Sequence, residues 1–171
     1  MKNQKNKKSP VSTLCSALGT ILLIILIVAC LPLTVPRLLG FELYTVISGS
    51  MEPEIPIGSL VFVKDVAPED VQEKDVIAFY GGKDSNAIIT HRVEENNVLT
   101  GEFVTKGDAN EDVDMIPVDY DDLIGRVELS VAKIGTLAQF LTSMNGKIAA
   151  AGVIVASMIM HLLASLFDRR K

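Results

Sequence analysis

The chain has no tryptophan and few other aromatics, with six phenylalanines and three tyrosines in 171 residues. About half of it is nevertheless apolar, so that matter must lie in aliphatic runs. Cysteine is scarce too: Cys15 and Cys30 are the only two, and both fall in one such run. Outside that run no disulfide can form, so a domain facing an oxidising compartment must rest on an adequate core. Acids and bases are missing altogether from residues 9–36. The net charge of −5 argues against a nucleic-acid partner. Only two histidines occur, His91 and His161, which leaves little choice for a base that works near neutral pH.

What is present begins with the aliphatic runs. Residues 14–33 are long enough to cross a bilayer, and a second run, residues 148–167, lies between Lys147 and Asp168. Lys2, Lys5, Lys7 and Lys8 make the start basic, and Arg169, Arg170 and Lys171 make the end basic. The acidic residues crowd the middle. Basic outer ends place both termini in the cytoplasm and the middle outside. A cleaved leader is the rival for the first run, since Ile27-Val28-Ala29-Cys30 is shaped like a lipoprotein cleavage box. The run exceeds the roughly 7–15 apolar residues of a leader's core. Pro32 and Pro36 suit a helix that ends at the outer interface. An uncleaved anchor is therefore expected.

Between the runs the segments are short and rich in β-branched residues. Strands are predicted at residues 43–47, 59–65, 75–80, 87–93, 98–106 and 123–131. Gly81-Gly82 and Asn96-Asn97 are predicted hairpin turns, and Pro56 with Gly58 a further turn. From Ile134 the period changes: Ile134, Leu137, Leu141 and Met144 recur at helical spacing, for a helix packed on the β domain or lying at the membrane surface. The fold class expected is mainly β, a small antiparallel extracytoplasmic domain flanked by two transmembrane helices. Its parts are a cytoplasmic tail (1–12), a span (13–34), the β domain (35–133), an amphipathic segment (134–147), a span (148–167) and a cytoplasmic tail (168–171).

One stretch organises the rest. In Ser48-Gly49-Ser50-Met51-Glu52-Pro53 a glycine between two hydroxyl residues lets the backbone turn sharply, and proline fixes the exit. Alone, this is a strand ending in a Ser/Gly turn. Its company is Thr90-His91-Arg92-Val93, then Lys106-Gly107-Asp108 with Asp112 and Asp114 beyond. A serine hydroxyl is a weak nucleophile and needs a base, and an imidazole base needs a partner that fixes its tautomer. Ser50, His91 and one of Asp108, Asp112 and Asp114 meet those needs, between two apolar runs. That describes a membrane-bound serine hydrolase. His161, inside the second run, is better placed to bond a neighbouring helix.

These boxes resemble those of type I signal peptidase, over roughly residues 41–131. His91 stands where the usual bacterial enzymes carry a lysine, so the resemblance is to the endoplasmic-reticulum-type branch, which archaea and some spore-forming bacteria share. It implies a serine endopeptidase that cleaves signal peptides from exported preproteins, with Ser50 as nucleophile and His91 as general base. It favours Asp108 and Asp114 over Asp112, without choosing which touches His91. The Ser50 N–H and the Ser48 hydroxyl would form the oxyanion hole. Membrane-inserted preproteins with small residues at the first and third positions before the cut would be the substrates, and the lipid bilayer the other partner. No cofactor follows from this chemistry, and nothing in the sequence sets an oligomeric state.

Competing chemistries are weaker. Lys64, Lys74 and Lys83 each adjoin an aspartate that favours their charged form, which leaves Lys106 as the contender for a Ser–Lys dyad. Residues 108–119 begin like a calcium loop, but Val113 and Asp119 stand where that loop wants Gly and a bidentate Glu, so no metal site is expected. Met51 either lines the substrate groove or packs. A non-catalytic β module that assists surface fibre or pilus assembly is the alternative function, and a lipoprotein anchored at Cys30 a third.

Overall fold

The computed structural model of the protein describes residues 9–82 and 86–169; Lys2, Lys5, Lys7, Lys8, Lys83, Arg170 and Lys171 lie outside the described residues. In chain order the elements are α1 (Pro10–Leu38), β1 (Phe41–Thr45), β2 (Leu60–Lys64), β3 (Val76–Tyr80), β4 (Ile88–Asn97), β5 (Glu102–Lys106), β6 (Val118–Asp119), β7 (Leu123–Val131), α2 (Ile134–Thr142) and α3 (Met144–Arg169). They fall into two compact units. One comprises the chain up to Pro32 and from Phe140 onward; the other is Leu33–Gln139.

In the first unit, α1 and α3 are both long and apolar enough to cross a membrane. They run antiparallel. The Ser9 N–H donates to Asp168 Oδ1 (3.2 Å), and the buried Ser157 hydroxyl donates to the Gly19 carbonyl (2.9 Å). A Cβ on Gly19 would stand 3.1 Å from the Ser157 carbonyl and 3.2 Å from the His161 ring, so glycine allows the two backbones to approach. α1 does not stop at the prolines. Pro32 and Pro36 lie inside it, each removing one backbone donor without ending the helix.

The second unit is one antiparallel sheet in the order β1-β2-β7-β3-β4-β5-β6. β2 shows why its sequence is continuously apolar: Val61 and Val63 face one cluster with Met51, Ile55 and Ala78, while Leu60 and Phe62 face another with Ala138. Both faces are covered, so no alternation survives. A third cluster gathers Val71, Ile77, Phe79, Val93, Phe103 and Val118, with Ile89 packed against it. This is the face on which β4 places His91, whose ring meets Phe79 edge-on.

Five of the six predicted strands occur with their ends shifted, and that at residues 123–131 as expected. The Asn96-Asn97 turn does not occur. β4 runs through both residues, and the turn follows at residues 98–101, closed by Gly101 N–H on the Asn97 carbonyl (2.9 Å) with Gly101 at φ +74°. Asn96 is used elsewhere: its amide donates to the carbonyls of Pro68 (3.0 Å) and Val71 (2.8 Å) and accepts from the Tyr120 hydroxyl (2.5 Å). Gly81-Gly82 does open the connection of the antiparallel β3–β4 hairpin, where the Gly81 N–H reaches across to the Ala87 carbonyl (2.8 Å). The face of α2 that is buried consists of Gly135 and Ala138, whereas Leu137 and Phe140 are each 50% exposed and Met144 already opens α3. Small residues win there because the helix backbone lies against the turn before β2. Gly135 N–H donates to the Gly58 carbonyl at 3.0 Å, leaving no room for a side chain.

Candidate active site

The Ser50 segment leaves β1 and turns at once. Glu52 N–H bonds the Gly49 carbonyl (3.0 Å) and Ile55 N–H the Met51 carbonyl (2.8 Å), a short coil that drives Met51 and Ile55 into the core. Met51 is 1% exposed and also contributes to the wall of a groove, so packing and lining are the same contact. Ser50 stays partly exposed above it. The Ser50 hydroxyl lies 3.5 Å from that of Ser48.

The loop after β5 closes on this segment. Ala109 N–H donates to the Ser50 carbonyl (2.9 Å), and Asn110 N–H to the Gly107 carbonyl (3.0 Å). Between them Gly107 lies against both the Ser50 main chain and the His91 ring. A Cβ there would lie 2.6 Å from the Ser50 carbonyl oxygen and 3.0 Å from His91 Nε2. No side chain fits at position 107, which is why the loop carries glycine.

His91 Nδ1 is 2.6 Å from Asp114 Oδ2. With the carboxylate as acceptor, Nδ1 is the donor, and Nε2, the other ring nitrogen, borders Gly107 on the side where the Ser50 carbonyl also lies. Asp108 goes elsewhere. Arg92 donates to it through Nε (2.8 Å) and Nη2 (2.6 Å), and through Nη1 to the Lys74 carbonyl (2.8 Å). The bond to Asp108 holds the Arg92 guanidinium above its ordinary pKa, against partial burial that works the other way. This bidentate pair ties β4 to the loop that bears Gly107. The two aspartates have different partners, His91 for Asp114 and Arg92 for Asp108. Asp112 is exposed.

Two residues of the site carried no expectation. Arg92 stood inside the Thr-His-Arg-Val box, and the adjacent acidic loop was its only hint. Thr105 donates its hydroxyl to Asp114 Oδ2 (2.6 Å), and a threonine in a strand gives no signal at all. The lysines are accounted for separately. The Lys106 ammonium donates to the Glu111 carbonyl (2.8 Å), Lys74 pairs with Glu94, Lys64 is exposed, and Lys83 lies outside the described residues. Among the described residues, no three His, Cys, Asp or Glu side chains converge as a metal site requires.

Beside Ser50 runs a groove of about 350 Å³. Val46, Ile47 and Ser48 stand on one side, and Ile88 and Thr90 on the other. Tyr44 lines it too, and burial followed by its hydrogen bond to Glu42 pushes its phenol well above the usual range, so it stays neutral. β5 pairs with β4 only from Arg92 onward, and β3 occupies the other edge from Ile88 to Arg92. Among the described residues, no strand pairs with the other edge of residues 88–91.

Residues 17–106 match the family described as signal peptidase, peptidase S26. Among curated proteins, Signal peptidase I W of Bacillus subtilis (strain 168) is 38% identical over 94 residues, covering 52% of this chain and 47% of that protein. The chain spans about half the length of this curated relative. The family match includes Ser50 and His91 and stops before Asp108 and Asp114, whose pairing rests on geometry alone.

Proposed function

The chain belongs to the peptidase S26 signal peptidase family, and from that premise we propose that it is a membrane-anchored serine endopeptidase that removes signal peptides from exported preproteins. One observation carries the mechanism: His91 is bonded through Nδ1 to Asp114, while its Nε2 and the main-chain carbonyl of Ser50 both border Gly107. Ser50 attacks the scissile carbonyl as His91 Nε2 takes its proton. The Asp114 carboxylate stabilises the imidazolium, which then protonates the departing amine. Water, deprotonated by the same imidazole, releases the acyl group. In the free enzyme such hydrogen bonds are often long and tighten on substrate binding. The Ser50 N–H and the Ser48 hydroxyl are the donors for the oxyanion, two hydroxyl-bearing residues on one turn. Arg92 and Asp108 hold the loop against Ser50.

The substrate is a preprotein whose signal-peptide end lies extended in the groove, where residues 88–91 offer main-chain partners for an added strand. Purified chain in detergent, incubated with such a preprotein, should yield the mature protein and the signal peptide as two masses. Persistence of the intact preprotein would refute the activity.

α1 and α3 are the membrane spans in this proposal, with the bilayer as the second partner and the β domain outside the cytoplasm. The antiparallel pairing of Ser9 with Asp168 and Gly19 with Ser157 supports this reading, since it puts Ser9 and Asp168 at one end of the helix pair, and basic sequence beyond that end favours the cytoplasm. Protease added to intact cells stripped of their wall should cleave within residues 42–133 and spare both tails. Protection of the middle would place the site on the wrong side of the membrane.

A further inference from the structure

We propose that Thr105 is a positioning residue for the reaction, holding the Asp114 carboxylate at the one orientation in which it meets His91 Nδ1. This rests on the catalytic roles given above for His91 and Asp114. Thr105 lies on β5, opposite Val93 of β4, and is 0% exposed. It is fastened to Asp114 twice. The Asp114 N–H donates to the Thr105 carbonyl (2.8 Å), and the Thr105 hydroxyl donates to Asp114 Oδ2 (2.6 Å). That oxygen is the one His91 Nδ1 contacts, also at 2.6 Å. Thr105 is thus bonded to both the main chain and the reacting end of Asp114.

The need for such a device follows from the aspartate itself. Its terminal torsion is broad, so one hydrogen bond from the imidazole does not select a carboxylate orientation. The Asp114 side chain is 24% exposed and has water as an alternative partner. A threonine side chain is stiff at χ1 and offers its donor from a fixed point. A residue at this strand position that only filled the core would be valine, which has the same shape. Burying a hydroxyl there is favourable only because Asp114 accepts from it. Holding Oδ2 between two donors keeps the imidazole in the tautomer and plane that present Nε2 to Ser50. Thr105 touches neither substrate nor Ser50 in this account; its effect passes through Asp114 and His91.

The test compares Thr105→Val and Thr105→Ser with the unaltered full chain in detergent on a preprotein, separating kcat from KM. Thr105→Val should lower kcat about 10- to 100-fold, the effect of losing one hydrogen bond to a charged group. KM should stay unchanged. Thr105→Ser, which restores the hydroxyl, should recover most of the loss. In an Asp114→Ala background Thr105→Val should cost nothing further, because the group it positions is gone. Unchanged kcat in Thr105→Val, equal impairment in Thr105→Ser, or an additional loss in Asp114→Ala would each overturn the proposal. Should the valine variant not fold, Thr105→Cys substitutes a weak S–H donor in a small side chain and should fall between the serine variant and an inactive one. Full activity of the cysteine variant would also overturn it. A second readout needs no turnover: the downfield imidazole N–H resonance, assigned by its loss in His91→Ala, should shift or broaden in Thr105→Val. An unchanged resonance would count against Thr105 even if the chain cleaved no preprotein, so the two proposals fail separately.

Discussion

Replacing His91 with alanine is expected to lower preprotein turnover by about 10⁶-fold, the scale on which loss of the base acts in a serine hydrolase triad. Folding should survive, because the cluster on that face retains Val71, Ile77, Phe79, Val93, Phe103 and Val118, all of them buried. Circular dichroism and the thermal midpoint of the variant check this. His91→Lys should not restore activity. A lysine base must shed its proton, and the Asp114 carboxylate, 2.6 Å from the present imidazole, would favour the charged ammonium instead. Lys106→Ala should remain active, since that ammonium sits on the Glu111 carbonyl. An active His91→Ala alongside a folded but inactive Lys106→Ala would replace the triad by a Ser–Lys dyad.

The second large effect separates the two aspartates. Asp114→Ala should reduce kcat by about 10⁴-fold, the cost of losing the orienting carboxylate in a chymotrypsin-type triad, with a stability loss of about 1–3 kcal/mol because the buried Thr105 hydroxyl loses its acceptor. Asp108→Ala should act differently in kind. It leaves the partly buried Arg92 guanidinium without its bidentate partner and frees the loop over Ser50. A stability loss of about 1.5–3 kcal/mol is expected, with turnover falling through disorder of the loop. Asp112→Ala should behave like the unaltered protein, since Asp112 is exposed. Chemical denaturation and initial rates on the three variants give the comparison. If Asp112→Ala proved as damaging as Asp114→Ala, the roles assigned to the loop would be wrong.

Why the aspartates could not be told apart in the sequence is physical. They lie six positions apart in one loop, and either could reach a histidine on β4. The deciding contact is the Asp114 N–H on the Thr105 carbonyl, a continuation of the β5 edge that no local pattern announces. The residues proposed to act by chemical type, Ser50 and His91, could be singled out because hydroxyl, imidazole and glycine sit in short, unusual strings. Residues proposed to act by placement could not. Thr105 is an ordinary strand former, and Arg92 looks like a solvated strand charge until Asp108 is seen to face it. The antiparallel β class was legible from the β-branched runs, but β6 is two residues long and too short for alternation to register. The pair Asn96-Asn97 misled because asparagine favours turns, whereas here tertiary partners, Pro68, Val71 and Tyr120, claimed the Asn96 side chain. The two proline positions in α1 misled for a related reason. In a helix of 29 residues the loss of one donor per proline does not outweigh the remaining backbone bonds.

The central claim is that Ser50 is the nucleophile of a signal-peptide-cleaving enzyme. Its most direct measurement is processing of one defined preprotein by the purified full chain and by Ser50→Ala, prepared in the same detergent and shown equally folded. The account predicts a mature protein beginning just after a small residue for the unaltered chain, and no such product for Ser50→Ala. Cleavage at the same bond by Ser50→Ala, at a rate near that of the unaltered chain, would contradict it.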